Sequence, residues 1–211
     1  MNRKDYDYYL MYDPGSAKCF GALFVAIHRF NKNIIVLDEI YEKTLGKNTT
    51  NQIVPIALDK CDEINKNVDD WSHGYDYAAA WFKSDIMFEY PDYPYALFPC
   101  EKDLKDKENK LNLIKDIMLK DLIFISDRAV NFYKECEQYK LDDKGKLKKE
   151  NDHLIDCFRY ILNLAQYYTI ENAVPLRVSE LFKTGTIEQD LLRERIQENY
   201  YADVDRDLFD D

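Results

Sequence analysis

Three stretches rich in aromatic and β-branched residues crowd the start of this chain, and they constrain its fold more than any other feature. Tyr8 to Asp13 is a short aromatic run, Lys18 to Arg29 a longer one, and Asn33 to Glu42 a third, with Ile34, Ile35, Val36 and Leu37 in succession. The breaks between them, Pro14-Gly15-Ser16 and Asn31-Lys32-Asn33, hold residues that end strand pairing and turn the chain. Three antiparallel strands joined by short loops are therefore expected.

Helical spacing takes over after them. Thr50 to Val68 carries apolar residues at Ile53, Ile56, Ala57, Cys61 and Ile64, which share one face of a helix. Tyr75-Asp76 followed by Ala78-Ala79-Ala80-Trp81-Phe82 reads as a strand end running into a helix or turn, and Tyr95 to Phe98 as another short strand. A helix is predicted from Lys107 to Lys120, a strand from Leu122 to Ser126 and a helix from Arg128 to Tyr139, with a turn at Asp142-Asp143-Lys144-Gly145-Lys146. The last long helix runs from Asn151 to Tyr168, with Leu154, Phe158, Ile161, Ala165 and Tyr168 at intervals of three and four. The order β-β-β-α-β-α-β-α-α points to a mixed α/β layered fold.

A chain of 211 residues that is 46% hydrophobic can bury one sizeable core, so one main domain is expected over 1–170. Residues 171–211 form an acidic extension, expected to be partly helical, between Ile187 and Tyr201, or disordered. No run of about 18 apolar residues offers a membrane span, and Met1-Asn2-Arg3-Lys4-Asp5 lacks the apolar stretch of a signal peptide, so a soluble, non-secreted protein is expected. Five cysteines, odd in number and without a Cys-x-x-Cys pair, argue against a disulfide framework or a thiolate zinc site.

The net charge of −11 opposes generic nucleic-acid binding, whose affinity comes largely from neutralising phosphates. The charge is uneven, however. Thr186 to Asp211 contains nine acids and three arginines, about half of the excess, while basic clusters remain at Lys102 to Lys120 and Lys144 to Lys149. Net charge alone does not exclude a nucleic-acid partner. The dense aromatics, 17 Tyr and 11 Phe, form no interleaved basic and aromatic stripe, so packing is their expected role. Tyr90, Tyr93 and Tyr95 with Pro91 and Pro94 make a loop without an evident purpose.

The acids carry the chemistry. Asp13 closes the first strand ahead of a Pro-Gly break, where a carboxylate is either part of an ordinary turn or placed for function. Asp76 sits between Tyr75 and Tyr77 before an apolar stretch, as a helix cap or as a ligand. Asp152, His153 and Asp156 lie at one end of a helix that otherwise reads as core, at spacings that bring side chains together. A half-buried Asp156 needs a partner. Asp13, Asp76 and Asp156, from separate elements, could converge on hard divalent cations, which prefer oxygen ligands. Two such ions about 4 Å apart promote phosphodiester cleavage, and His153 would shuttle a proton or hold the phosphate; the plain alternative is a helix-start histidine bonded to an acid.

Four strings together resemble the C-terminal nuclease domain of the large terminase subunit of tailed bacteriophages. They are Met11-Tyr12-Asp13-Pro14-Gly15, Val36-Leu37-Asp38-Glu39-Ile40-Tyr41, Tyr75-Asp76-Tyr77-Ala78-Ala79-Ala80-Trp81-Phe82, and Lys148 to Tyr160 with its Asp-His, second Asp one turn on, and Arg-Tyr. The match spans roughly residues 8–165. The resemblance implies a ribonuclease-H-like α/β fold, a mixed central sheet flanked by helices. It implies a metal-dependent endonuclease that cuts concatemeric double-stranded viral DNA during packaging in the cytoplasm of an infected bacterial host. Asp13, Asp76 and Asp156 would bind two Mg²⁺ or Mn²⁺ ions, with Asp13 bridging them and His153 as an auxiliary catalytic group. Asp152 would join the site or cap the helix, and Glu39 would be structural.

Implied partners are double-stranded DNA, a terminase ATPase domain, the small terminase subunit and the portal. A full large subunit also carries a phosphate-cradling Gly-x-x-x-x-Gly-Lys-Ser/Thr loop, absent from this sequence, so an excised nuclease domain or a stand-alone relative is expected. Lys144 to Lys149 would stand in for a hairpin near DNA or be a solvated loop. The competing readings are another ribonuclease-H-like nuclease, such as a junction resolvase or hybrid nuclease, and a non-catalytic packaging module docking through its acidic tail.

Overall fold

In the computed structural model, the structure describes residues 3–15, 19–44, 46–100, 107–138 and 152–167. The expected strands all form: β1 (Tyr6–Pro14), β2 (Phe20–His28), β3 (Ile34–Glu42), β4 (Trp71–Asp76), β5 (Leu97–Cys100) and β6 (Ile123–Ile125). The helices are α1 (Thr50–Ile64), α2 (Ala80–Glu89), α3 (Lys107–Leu119), α4 (Val130–Gln138) and α5 (His153–Leu164). The expected turn at Asp142 to Lys146, the basic run Lys144 to Lys149 and the acidic extension lie outside the described residues.

One sheet holds all six strands in the order β5-β4-β1-β2-β3-β6. The meander β1-β2-β3 pairs antiparallel, whereas β4 runs parallel to β1, β5 to β4 and β6 to β3. Parallel pairs need crossovers, and the helices supply them. Alternation along the strands then divides the core. Tyr8, Leu10 and Tyr12 of β1 pack with Ile53, Val54 and Ala57 of α1 and Phe82 and Ile86 of α2. Met11, on the opposite face, packs with the core formed by α3, α4 and α5. The result is the mixed sheet flanked by helices that the sequence predicts.

A bulge in the sheet and an early helix end depart from the regular pattern. The β2–β3 register slips between Phe24, opposite Asp38, and Val25, opposite Val36, leaving Leu37 as an extra residue. A bulge of this kind switches which face later side chains meet. Ile34 and Val36 face the α5 side before it, and Tyr41 faces that side after it. Glu39 is thereby turned toward α4.

The helix expected over Thr50 to Val68 instead ends at Ile64. Asn65 takes an extended backbone, its side chain accepts from Asn67 N at 3.2 Å and donates to Asp70 at 3.0 Å, and this turn ends the helix and delivers the chain into β4. The strand β4 is longer than the expected strand end at Tyr75-Asp76, and α2 with β5 adds one α-β step to the predicted order. Buried His73 disguises that strand in the sequence. Its ring stacks on Tyr95 at 3.8 Å between centroids and bonds Tyr93 Oη at 2.5 Å, and burial lowers its pKa to about 3. The tyrosine-proline loop therefore covers His73. Among the described residues no helix is long and apolar enough to cross a membrane.

Candidate active site

Parallel pairing of β1 and β4 brings Asp13 and Asp76 to the same edge of the sheet. The registered pairs run from Tyr8 opposite Trp71 to Tyr12 opposite Tyr75, and each aspartate is the next residue along. Asp13 is 9% exposed and Asp76 5%. Two carboxylates this deeply buried on neighbouring strands demand compensation, because the protein interior does not hold like charges cheaply.

Helix α5 lies across the same end of the sheet, and small residues let it come close. A Cβ on Gly21, which pairs with Asp13, would sit 3.3 Å from His153 Cβ and 3.5 Å from Leu154 Cδ2. The first residue of α5 consequently reaches β1: His153 Nδ1 donates to Asp13 Oδ2 at 2.8 Å. That bond is the chief cause raising the His153 pKa above 6.5, against partial burial that lowers it.

Asp156, one turn on, is half-buried and accepts from the Arg159 guanidinium three residues further along. Asp76 Oδ1 accepts from Ala78 N at 3.0 Å, capping the short turn at Tyr77–Ala79 that leads into α2. The three carboxylates nevertheless share one neighbourhood. Burial raises the pKa values of the Cys157 thiol and the Tyr160 hydroxyl, and the charges of Asp13, Asp76 and Asp156 raise both further.

Among the described residues no three His, Cys, Asp or Glu side chains are gathered into a ready cage for an ion. Asp13 is engaged by His153, Asp76 by a backbone N–H and Asp156 by Arg159. The residue types still fit a hard divalent cation. All three acids offer oxygen, two are buried side by side, and the Tyr160 hydroxyl, which feels the charges of all three, is buried without a hydrogen-bond partner. Orphaned buried polar atoms beside an acidic cluster are what an ion with its water would satisfy.

Of the two roles expected for Asp152, joining the site or capping the helix, the cap does not form. Asp152 occupies the N-cap position of α5, but its side chain makes no capping hydrogen bond. Glu135, from α4, does that work: its Oε2 accepts from Leu154 N at 2.8 Å and Ile155 N at 3.0 Å. Glu39 plays the equivalent part for α4, accepting from Asn131 N at 2.8 Å, Asn131 Nδ2 at 2.6 Å and Phe132 N at 2.8 Å. Nothing local in the sequence marks Glu135 as functional. Arg159 does leave a signal, standing three residues after Asp156 on one helix face.

No protein-family model and no curated protein sequence matches this chain. Solved structures do. The large terminase from a thermophilic bacteriophage, in complex with ADP, aligns at a TM-score of 0.64 with 18% identity, over 80% of this chain and 42% of that one. The P22 large terminase nuclease domain aligns at 0.60 with 14% identity, covering 79% and 85%. The SPP1 g2p large terminase nuclease domain, solved with bound Mn, aligns at 0.57 with 16% identity, covering 75% and 86%. This chain thus spans less than half of the thermophilic phage's large terminase but matches most of the isolated nuclease domains. Its fold is that of a large-terminase nuclease domain, a ribonuclease-H-like mixed sheet flanked by helices.

Proposed function

We propose that this chain is a divalent-metal-dependent endonuclease that cuts double-stranded viral DNA during genome packaging, acting as the nuclease part of a large terminase in the infected host's cytoplasm. The observation that carries the reading is that Asp13 and Asp76 lie buried at the ends of adjacent parallel strands, while Asp156 follows one turn along the helix whose first residue, His153, bonds Asp13. The matching fold in terminase nuclease domains, one of them solved with bound Mn, supports it.

Asp13, Asp76 and Asp156 would hold Mg²⁺ or Mn²⁺, with Asp152 at the margin of the site. When bound, such ions supply charge neutralisation of the phosphate and activation of the attacking water. His153, held by Asp13 through Nδ1, would carry a proton at Nε2. Arg159 keeps Asp156 neutralised until a cation competes for it. Residues 1–170 would form the nuclease unit and 171–211 an acidic extension. The ATPase domain, small terminase subunit and portal would be its packaging partners.

The test is cleavage of linear duplex DNA with Mg²⁺ or Mn²⁺, alongside a four-way junction and an RNA/DNA hybrid. Duplex cutting that stops with EDTA and in Asp13→Ala, Asp76→Asn and Asp156→Asn, each folded by circular dichroism, is expected. Activity that survives EDTA contradicts the proposal, and a clear preference for the junction or hybrid moves the chain to another ribonuclease-H-like activity.

A further inference from the structure

We propose that Glu135 is a positioning residue for the cleavage reaction, acting through the first turn of α5; this rests on the nuclease reading above. Two buried glutamates each cap a different helix. Glu39 of β3 receives the first amides of α4, and α4 in turn carries Glu135, which receives Leu154 N at 2.8 Å and Ile155 N at 3.0 Å. Those two residues lie between His153 and Asp156. The turn that Glu135 caps therefore begins at His153, which bonds Asp13 on β1 at 2.8 Å.

Capping by a side chain next to a helix satisfies its amides without tying the helix to anything else. Here the N-cap residue, Asp152, contributes no side-chain bond, and the acceptor comes from a different helix, 19 residues upstream and 4% exposed. The contact consequently sets where α5 begins relative to α4 and the sheet. Phe132 and Phe158, packed edge to face at 5.4 Å between centroids, hold the same two helices from within the core. A tilt of α5's first turn would carry His153 away from Asp13 and Asp156 away from the other acids, and misplacement near 1 Å can cost on the order of 100-fold in rate.

The experiment compares Glu135→Leu and Glu135→Gln with Glu39→Leu, a control that also removes a buried cap but from α4. At a temperature where all variants are folded, Glu135→Leu is expected to lower kcat for duplex cleavage by about 30-fold with KM little changed, whereas Glu39→Leu lowers it by about threefold or less. Glu135→Gln, which keeps an acceptor oxygen, is expected to stay within about threefold of the parent. Turnover that merely tracks melting temperature across Glu135→Leu and Glu39→Leu, or a Gln variant as impaired as the Leu variant, overturns the proposal. Should Glu135→Leu fail to fold, Glu135→Asp, one methylene short of the amides, makes the same comparison.

Amide hydrogen exchange separates this inference from the nuclease reading. Protection at Leu154 and Ile155 should fall in Glu135→Leu and persist in Glu135→Gln and Glu39→Leu, whether or not the protein cuts DNA. Unchanged protection in Glu135→Leu overturns the positioning role alone. Absent cleavage by the parent protein overturns the nuclease reading and the catalytic part of this inference with it, while the exchange pattern still decides whether Glu135 sets the start of α5.

Discussion

His153, the first residue of α5, donates from Nδ1 to Oδ2 of Asp13 at the end of β1, 2.8 Å away and 140 residues earlier in the chain. This bond ties the helix that carries Asp156 to the strand that carries the first acid. It also leaves Nε2 as the imidazole nitrogen that Asp13 does not engage.

Stability should report this bond through pH. The folded pKa of His153 is raised above 6.5, chiefly by Asp13, so the pair stabilises the fold fully below that value and loses its contribution as pH rises through the folded pKa. The difference in melting temperature between the parent and His153→Asn should be larger near about pH 6 than near about pH 9. Equal differences at the two pH values would show that the bond does not contribute as a charged pair.

Glu135 has a linkage of the same sign from a different cause. Burial pushes its carboxyl from 4.5 up to about 7, despite the two backbone donors that pull it down. The folded state therefore disfavours the charged form. The cost is absent below the ordinary pKa, grows between the two values and is complete above about 7. Glu135→Gln should gain stability relative to the parent between about pH 5 and pH 8, on the order of 3 kcal/mol, in urea unfolding at the two pH values. No relative gain would mean that Glu135 is not strained by burial.

Arg159 neutralises Asp156 inside the same helix, with Arg159 itself 7% exposed. Removing one partner of a largely buried pair takes away part of the other's compensation. Arg159→Met should lower stability by about 3 kcal/mol without metal and recover more of it on adding Mn²⁺ than the parent gains. Thermal melts with and without Mn²⁺ measure this, and equal Mn²⁺ shifts in both proteins would show that Arg159 and the ion do not compete.

Gly21 marks a close approach of α5 to the sheet. A β-branched side chain there must displace His153 or Leu154, since even a bare Cβ would stand 3.3 Å from His153 Cβ. Gly21→Val should cost about 1 to 3 kcal/mol in denaturant unfolding. It should also slow cleavage by at least about 10-fold, beyond the loss of folded protein. Full activity in this variant would mean that the seat of α5 on β2 does not matter to the chemistry.

The β-meander is legible in the sequence because its strands are long and their breaks hold turn residues, and the four residues proposed for the site stand out because they end strands or sit at helical spacing. The bulge at Leu37 is not, because four consecutive apolar residues hide the change of face that turns Glu39 toward α4. The full extent of β4 is obscured by His73, a polar residue that is wholly buried among tyrosines brought from a later loop. The capping role of Glu135 is not legible, because its partners are backbone amides of a helix distant in sequence, a contact that leaves no spacing to read. Asp152 misleads for the complementary reason: it has the right residue type at the N-cap, yet the amides it would serve are already taken.

The central claim is that Asp13, Asp76 and Asp156 together form a divalent-metal site. Crystals of the protein soaked in Mn²⁺, with anomalous scattering collected near the manganese edge, test it directly. The predicted result is anomalous density coordinated by oxygens of all three aspartates, with Arg159 displaced from Asp156. Density absent from this site, or manganese bound only elsewhere on the molecule, would contradict it.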